Sequence, residues 1–195
     1  LTVETSAMIQ VASPSRERVE SYIQLREQIE GTVGRLNGQF DTMAHTAIRY
    51  LHHSYPFPEM VALYLASDVM VVSSLRDGMN LVAKEYAVAH TDNRGALVLS
   101  EFTGAAEQLP SAITINPHDI DGMARTLATA LAMPLTERRM RWEAMMEKLN
   151  GGTIQQWFAD FIEALQDTHN AGAAALPEPT SLWPRRAADF AARYH

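Results

Sequence analysis

Residues 69–86 have the sequence VMVVSSLRDGMNLVAKEY, in which an apolar run stops at an Asp-Gly turn and restarts with helical character. A buried strand that ends in such a turn and continues as a helix leaves unpaired backbone N–H groups beyond its carboxyl end. Open α/β sheets bind ligands at this end of their strands. The stretch therefore predicts a strand buried on both faces at 69–73, a turn, and a helix that starts at Leu81 beside an anion-binding site.

The segments on either side alternate between strand and helix. Short apolar runs predict the remaining strands at 7–12, 48–52, 95–100 and 112–116. Periodic or capped segments between the strands predict helices at 16–36, 59–67, 81–90 and 104–109. Five strand–helix alternations in series predict an α/β fold with a doubly wound parallel sheet of Rossmann-like type. Three C-terminal helices follow, at 120–133, at 136–150 with Thr136 as its cap, and at 154–167.

Composition narrows the functional class. The chain has 195 residues, of which 47% are hydrophobic, which is enough for one well-buried domain. A net charge of -7 argues against nucleic acid or a membrane surface as a partner, because no overall cationic field attracts phosphate backbones. No cysteine is present, which fits a reducing cytoplasm. We expect a soluble cytoplasmic protein whose phosphate site is local, and we leave a homo-oligomer open.

The turn at Asp77-Gly78-Met79-Asn80 has the residue types that a ligand-binding turn requires. Asp77 places an acid at the strand exit, Gly78 tolerates any backbone angle, and Asn80 is a natural helix N-cap. A purely structural role fits the same pattern, with Asp77 and Asn80 acting only as caps and Met79 packing.

The helix after the turn adds an anion site and a second acid. Leu81, Val82 and Ala83 form its first turn, whose N–H groups and dipole favour an anion such as a diphosphate. Glu85 lies one turn further on and could accept hydrogen bonds from ribose hydroxyls. In the structural alternative, Lys84 and Glu85 are solvated helix residues.

Arg16 is a second candidate anion receptor. It follows Ser13-Pro14-Ser15 at the predicted start of a helix, where a planar bidentate cation and free N–H groups coincide. An ordinary surface charge is the alternative. No spaced set of His, Asp and Glu indicates a metal site, so we expect neither a metal nor a cofactor.

Four segments together resemble a known family. They are LRDGMNLVAKEY, YLHHSYPFPEMVALYLASDV, VASPSRERVESY and ALVLSEFTGAAEQL followed by INPHD, and they occur in order between Met8 and Leu165. They resemble the retaining family 20 glycosyltransferases, the trehalose-6-phosphate synthases. The resemblance implies the C-terminal, donor-binding half of a GT-B fold and transfer of glucose from a nucleoside-diphosphate glucose, expected to be UDP-glucose, to glucose 6-phosphate.

The resemblance also implies roles for the candidate residues. Asp77 orients the donor glucose as the catalytic residue, together with the backbone of Gly78, Met79 and Asn80. Leu81, Val82, Ala83 and Lys84 hold the diphosphate. Glu85 holds the ribose, the backbone at Tyr55 meets the uracil ring, and Arg16 binds the acceptor phosphate. One departure is Ser74, which stands where the family usually has a proline.

The resemblance covers only one of the two domains of the family. We therefore expect a fragment that lacks the N-terminal domain and the first strand of its own sheet, which would lie between the strands at Met8 and Val69. Residues 1–169 are expected to form the nucleotide-sugar-binding domain, and residues 170–195 a linker and tail. Two alternatives remain: a non-catalytic nucleotide-sugar-binding or regulatory module, and a related transferase with another phosphorylated acceptor.

Overall fold

The computed structural model describes residues 6–92 and 94–172. The chain divides into two compact units, the first ending at Leu149 and the second beginning at Asn150. The strands are β1 (Met8–Val11), β2 (Ile48–Leu51), β3 (Val69–Val72), β4 (Ala96–Ser100) and β5 (Ile113–Ile115). The helices are α1 (Glu20–Phe40), α2 (Phe57–Ala66), α3 (Leu81–Ala89), α4 (Gly104–Gln108), α5 (Ile120–Ala132), α6 (Leu135–Gly151) and α7 (Ile154–Gly172).

The strands form two parallel sheets instead of one. β1 pairs with β2 in one sheet, and β3, β4 and β5 pair in that order in the other. Met8 lies opposite Ile48, and Val69 lies opposite Ala96. Each pair of neighbouring strands is joined through a helix, which is the connection that parallel pairing requires. The parallel α/β fold is confirmed, and no described pairing joins the sheet of β1 and β2 to the sheet of β3, β4 and β5.

The core is built on the two faces of β4, the only strand described whose residues are all buried. Leu97 and Leu99 point into a cluster that includes Tyr64 and Tyr86. Ala96 and Val98 point to the opposite face, against Ile115 and Ala130. This alternation follows from the two-residue period of a strand, and it places helices on both sides of the three-stranded sheet.

The prediction that β3 is buried on both faces is confirmed only in part, because Met70 and Val72 pack against one core cluster and Val69 and Val71 against the other, but the burial is incomplete. Val72 is buried, whereas Val69, Met70 and Val71 are only half-buried. β3 lies at the edge of its sheet and pairs only with β4, so it receives less cover than the central strand. An apolar run without alternation does not by itself distinguish an edge strand from a central one.

Several helix limits differ from the prediction. α1 begins at Glu20, after the predicted start at residue 16, and it continues through Gly38 to Phe40. α6 begins at Leu135, so Thr136 is inside the helix and is not its cap. α7 continues to Gly172, past the predicted start of the linker at residue 170. The predicted linker and tail from residue 173 onward lie outside the described residues.

One buried arginine ties several segments of the first unit together. The Arg138 side chain on α6 donates to five backbone carbonyl groups, at distances of 2.9–3.1 Å. These carbonyls belong to Asp68, Arg94, Ala130, Leu131 and Met133. Asp68 precedes β3 and Arg94 precedes β4, so this arginine fixes the starts of two strands to the end of α5.

The second unit contains α7, on which Trp157, Phe158 and Phe161 are exposed. Trp157 and Phe161 lie one helical turn apart and stack with ring centroids 5.4 Å apart. Within residues 6–92 and 94–172, no helix combines the length and the apolar character needed to cross a bilayer.

Candidate functional site

The turn between β3 and α3 is closed by its own polar side chains. One carboxylate oxygen of Asp77 accepts from the Met79 N–H at 3.1 Å, and the other accepts from the Asn80 side-chain amide at 3.0 Å. The Asn80 side-chain oxygen in turn accepts from the Ala83 N–H at 3.0 Å, which confirms Asn80 as the N-cap of α3. Asp77 therefore stands in a fixed position at the carboxyl end of β3.

The same hydrogen bonds keep Asp77 ionised. The Met79 N–H lowers the pKa of the Asp77 carboxyl most, and the Asn80 amide lowers it further. Hydrogen bonds to the charged form of a carboxyl favour that form. A carboxylate with lone pairs left over is an acceptor for hydroxyl groups, which is the chemistry expected of a sugar contact.

The backbone freedom predicted for Gly78 is not used. No glycine in the described residues has a positive φ, and a Cβ atom at Gly78 would meet no atom within 4 Å. The left-handed residue of the turn is Asn80, with φ of 68°. Asparagine tolerates the left-handed conformation because its short side chain can form a hydrogen bond with the nearby backbone, as it does here with the Ala83 N–H.

The turn is also held from outside, by the start of α4. The Asp77 N–H donates to the Phe102 carbonyl at 3.1 Å, the Gly104 N–H donates to the Asp77 carbonyl at 3.1 Å, and the Ala105 N–H donates to the Met79 carbonyl at 2.8 Å. A Cβ atom at Gly104 would overlap the Gly78 carbonyl oxygen. Sequence analysis did not predict this contact. The residue that could have indicated it is the glycine directly after Thr103.

The first turn of α3 is suited to an anion. In the described part of the chain, the N–H groups of Leu81 and Val82 have no hydrogen-bond acceptor, and the first turn contains no acidic residue. Lys84 forms no ion pair with any residue that the structure describes. The free N–H groups and the nearby Lys84 can therefore contact an anion here, although Asp77 and Glu85 are acids on either side and the chain has a net negative charge.

Glu85 lies one turn further along α3 and is exposed. It is the acceptor of a hydrogen bond from the Tyr64 hydroxyl of α2, at 3.2 Å. Tyr64 is itself buried, with 5% of its surface exposed. The second acid of the site is therefore held by a residue that sequence analysis did not select.

Arg16 does not lie at a helix N-terminus as predicted. It precedes α1 by four residues in a turn, where its φ is 51° and its carbonyl accepts from the Val19 N–H. Its guanidinium lies 5.5 Å from the centre of the Tyr22 ring and donates to the Tyr22 hydroxyl at 3.4 Å. The first turn of α1 begins with Glu20, whose negative charge makes this helix end a poor anion site.

Tyr55 lies between β2 and α2 and is half-buried. Its ring meets the edge of His53, with centroids 5.1 Å apart. Arg16 and Tyr55 thus follow the two strands of the smaller sheet, whereas Asp77 to Glu85 follow the edge strand of the larger one. Contiguity and local hydrogen bonds bring the second group together, and no described hydrogen bond joins it to Arg16 or Tyr55.

Among residues 6–92 and 94–172, no group of three or more His, Asp or Glu side chains could hold a metal ion.

The sequence profile described as Glycosyltransferase family 20 matches residues 2–167. The chain belongs to glycosyltransferase family 20. A curated relative in this family, the trehalose-6-phosphate synthase of Mycobacterium sp. (strain JLS), is 47% identical over 166 residues, which are 85% of this chain and 34% of the relative. The trehalose-6-phosphate synthase of Mycobacterium leprae (strain TN) is 46% identical over 164 residues. The chain thus spans about a third of the length of the curated relatives it matches.

Solved structures of family 20 members agree with the observed fold. An α,α-trehalose-phosphate synthase (UDP-forming) from Burkholderia xenovorans, in complex with glucose-6-phosphate, superposes on this chain with a TM-score of 0.79 and 45% sequence identity. The match covers 82% of this chain and 35% of the Burkholderia chain. An E. coli protein of the same group, bound with UDP-2-fluoro glucose, has a TM-score of 0.79 and 38% identity, and covers 88% of this chain and 37% of its own. The family 20 chain described here therefore has the α/β architecture of part of a GT-B glycosyltransferase.

Proposed function

We propose that this family 20 chain is the donor-binding part of a retaining glycosyltransferase. The reaction transfers glucose from a nucleoside-diphosphate glucose, with UDP-glucose as the expected donor, to glucose 6-phosphate and gives trehalose 6-phosphate. The observation that carries the proposal is the anchored turn at Asp77, where an ionised acid and the free N–H groups of α3 lie at the carboxyl end of a parallel sheet. A relative that forms UDP and another bound to glucose-6-phosphate support the substrate classes.

The proposed roles follow the chain from the sugar to the nucleotide. Asp77 and the backbone from Gly78 to Asn80 orient the glucose. The N–H groups of Leu81 and Val82, with Lys84, stabilise the diphosphate. Glu85 accepts hydrogen bonds from the ribose, which is possible because the residue is exposed. The backbone at Tyr55 meets the base.

Charge stabilisation is the part of the reaction that this chain would supply. In a retaining transfer without a covalent intermediate, the acceptor hydroxyl attacks on the face from which the diphosphate departs, and a phosphate oxygen takes the hydroxyl proton. Free N–H groups and a cation at α3 lower the energy of the negative charge that develops on the diphosphate. Asp77 then orients the sugar and forms no bond to carbon.

Arg16 keeps its proposed role on the acceptor phosphate, but through its side chain alone. The free N–H groups expected beside it are not found, since α1 begins four residues later and starts with an acid. A guanidinium over an aromatic ring still has donor groups left for a phosphate, because only one of its N–H groups faces the Tyr22 hydroxyl.

We further propose that the acceptor side of the cleft lies in an N-terminal domain, and that an additional parallel strand fits between β1 and β3. The support for the strand is that both β1 and β3 have a neighbour on one side only in the described sheets. The proposed limits of the nucleotide-sugar-binding domain remain residues 1–169, with residues 170–195 as linker and tail.

Substitutions in the natural protein that carries this chain test the proposal. Asp77→Ala is expected to abolish formation of trehalose 6-phosphate, and Glu85→Ala to raise the Kd of uridine diphosphate about tenfold, the effect of losing a hydrogen bond to a charged group. Glu147→Ala is the matched control, because Glu147 is an exposed acid on α6. Normal turnover in both site variants would refute the assignment, and transfer to a different phosphorylated sugar would correct the acceptor.

A further inference from the structure

The hydrogen bond between Tyr64 and Glu85 joins a buried donor to an exposed acceptor. Tyr64 is 5% exposed and lies in the core cluster with Leu97 and Leu99, whereas the Glu85 side chain faces solvent. A free glutamate on a helix surface samples several rotamers, and ordering it costs conformational entropy. The buried Tyr64 hydroxyl has a fixed position, so its hydrogen bond orders Glu85 in part before any ligand binds. This lowers the entropy cost that ligand binding would otherwise carry.

Tyr64 is held on every side, so it can act as a fixed reference point. Its ring meets the Tyr86 ring edge-on, with centroids 6.2 Å apart. Its carbonyl lies 2.6 Å from Nε2 of the buried His90, and the Tyr86 hydroxyl donates to the Ser67 carbonyl at 3.3 Å. Together with the bond to Glu85, these contacts fasten the end of α2 to the second half of α3 and to its C-cap.

The chemistry of the pair favours a donor that stays protonated. Burial raises the pKa of Tyr64, and the negative charge and hydrogen bond of Glu85 raise it further. The hydroxyl therefore donates over the whole neutral range and occupies one lone pair of one Glu85 oxygen. The other oxygen and the remaining lone pairs are left to accept from a ligand.

We propose that Tyr64 is a positioning residue for ribose recognition, which holds the Glu85 carboxylate in the orientation that accepts the ribose hydroxyls of a nucleoside diphosphate. This inference rests on the proposed function, since it takes Glu85 as the ribose acceptor. The same helix, α2, begins directly after the segment at Tyr55 that is proposed to meet the base. One helix therefore sets the distance between the base contact and the ribose contact.

The test compares Tyr64→Phe with Tyr86→Phe in the natural protein that carries this chain. Each substitution removes one hydroxyl from a buried tyrosine of the same helix pair, but only the first removes a bond to Glu85. Calorimetry would measure the Kd of uridine diphosphate and of its 2′,3′-dideoxy analogue, which has no ribose hydroxyl. Tyr64→Phe is expected to weaken uridine diphosphate by about five- to tenfold and the analogue by less than about twofold. Tyr86→Phe is expected to change both ligands equally.

Glu85→Ala separates failure of this inference from failure of the proposed function. If Glu85→Ala weakens uridine diphosphate and its dideoxy analogue equally, the ribose assignment itself is wrong. Suppose that Glu85→Ala weakens the binding of uridine diphosphate more than that of the analogue. If Tyr64→Phe then weakens the binding of both ligands equally, or of neither ligand, Tyr64 has only a structural role and the inference is overturned. In the Glu85→Ala background, Tyr64→Phe should have no further effect on uridine diphosphate, and additive losses would also overturn it.

Discussion

Gly104 packs so closely against Gly78 that a Cβ atom at position 104 would overlap the Gly78 carbonyl oxygen. The two glycines belong to different strand–helix junctions, and hydrogen bonds from Gly104 and Ala105 fix the contact. The proposed sugar-binding turn is therefore shaped as much by the start of α4 as by its own sequence.

Gly104→Ala is expected to displace the turn and to raise the Kd of uridine diphosphate about tenfold, since overpacking a fixed contact costs roughly 1–3 kcal/mol. Calorimetry on the natural protein that carries this chain would measure the change. Gly34→Ala on α1 is the matched control, because a Cβ there meets no atom within 4 Å and alanine favours helix. Equal affinities for the two variants would show that the turn does not depend on this close approach.

Arg138→Met is expected to lower the free energy of unfolding by about 3 kcal/mol or more, because five buried or partly buried carbonyl groups lose a charged donor. Urea unfolding followed by circular dichroism would measure the loss. Arg139→Met changes the neighbouring exposed arginine and should alter stability by less than about 0.5 kcal/mol. Similar stabilities for the two variants would contradict the structural importance of the buried guanidinium.

Asp77→Asn is expected to reduce the pH dependence of stability in acid. The pKa of the folded carboxyl is lowered from its ordinary value of 3.8, so the folded state binds fewer protons than the unfolded chain in this range. The stabilising contribution is complete above the ordinary value and is lost as the pH falls through the lowered pKa. Urea unfolding at pH 7 and at about pH 3 should show the stability difference between wild type and variant narrowing in acid. A constant difference would contradict the assigned hydrogen bonds.

Amide hydrogen exchange is expected to alternate along β1. The Met8 N–H donates to the carbonyl of Ala47, directly before β2, and the Ala12 N–H donates to Leu51 of β2. The two-residue period of the strand turns the N–H groups of Ile9 and Val11 away from β2. In this chain by itself, Ile9 and Val11 should exchange faster than Met8 and Gln10, and the central strand β4 should be the most protected. Uniform protection along β1 would indicate a partner on its open edge.

The strands and the N-cap could be predicted because their causes are local. Each strand is a short apolar run bounded by turn residues, and Asn80 caps α3 through a hydrogen bond to a residue three positions away. The proposed anion site at the start of α3 follows from the same local chemistry. Membership of the family could also be recognised, since its motifs are continuous in the sequence.

The features that sequence reasoning missed depend on residues far apart in the chain. Tyr64 and Glu85 form a hydrogen bond although they are 21 positions apart in the sequence. Gly104 contacts Gly78 only because two strand–helix units pack together. The partial exposure of β3 likewise depends on its place at the edge of a sheet. The predicted start of α1 is too early because Arg16 has a left-handed backbone conformation in a turn. Glycine or asparagine is the usual sequence sign of this conformation, and neither stands at this position.

The division of the strands into two sheets bears on how this chain unfolds. No described strand hydrogen bond connects β1 and β2 with β3, β4 and β5. Unfolding of one sheet therefore does not break backbone hydrogen bonds of the other. The buried core clusters lie on the larger sheet. Unfolding is therefore expected to be cooperative mainly within the larger sheet and its helices, and the β1–α1–β2 segment, although part of the same compact unit, is expected to open at a lower free energy.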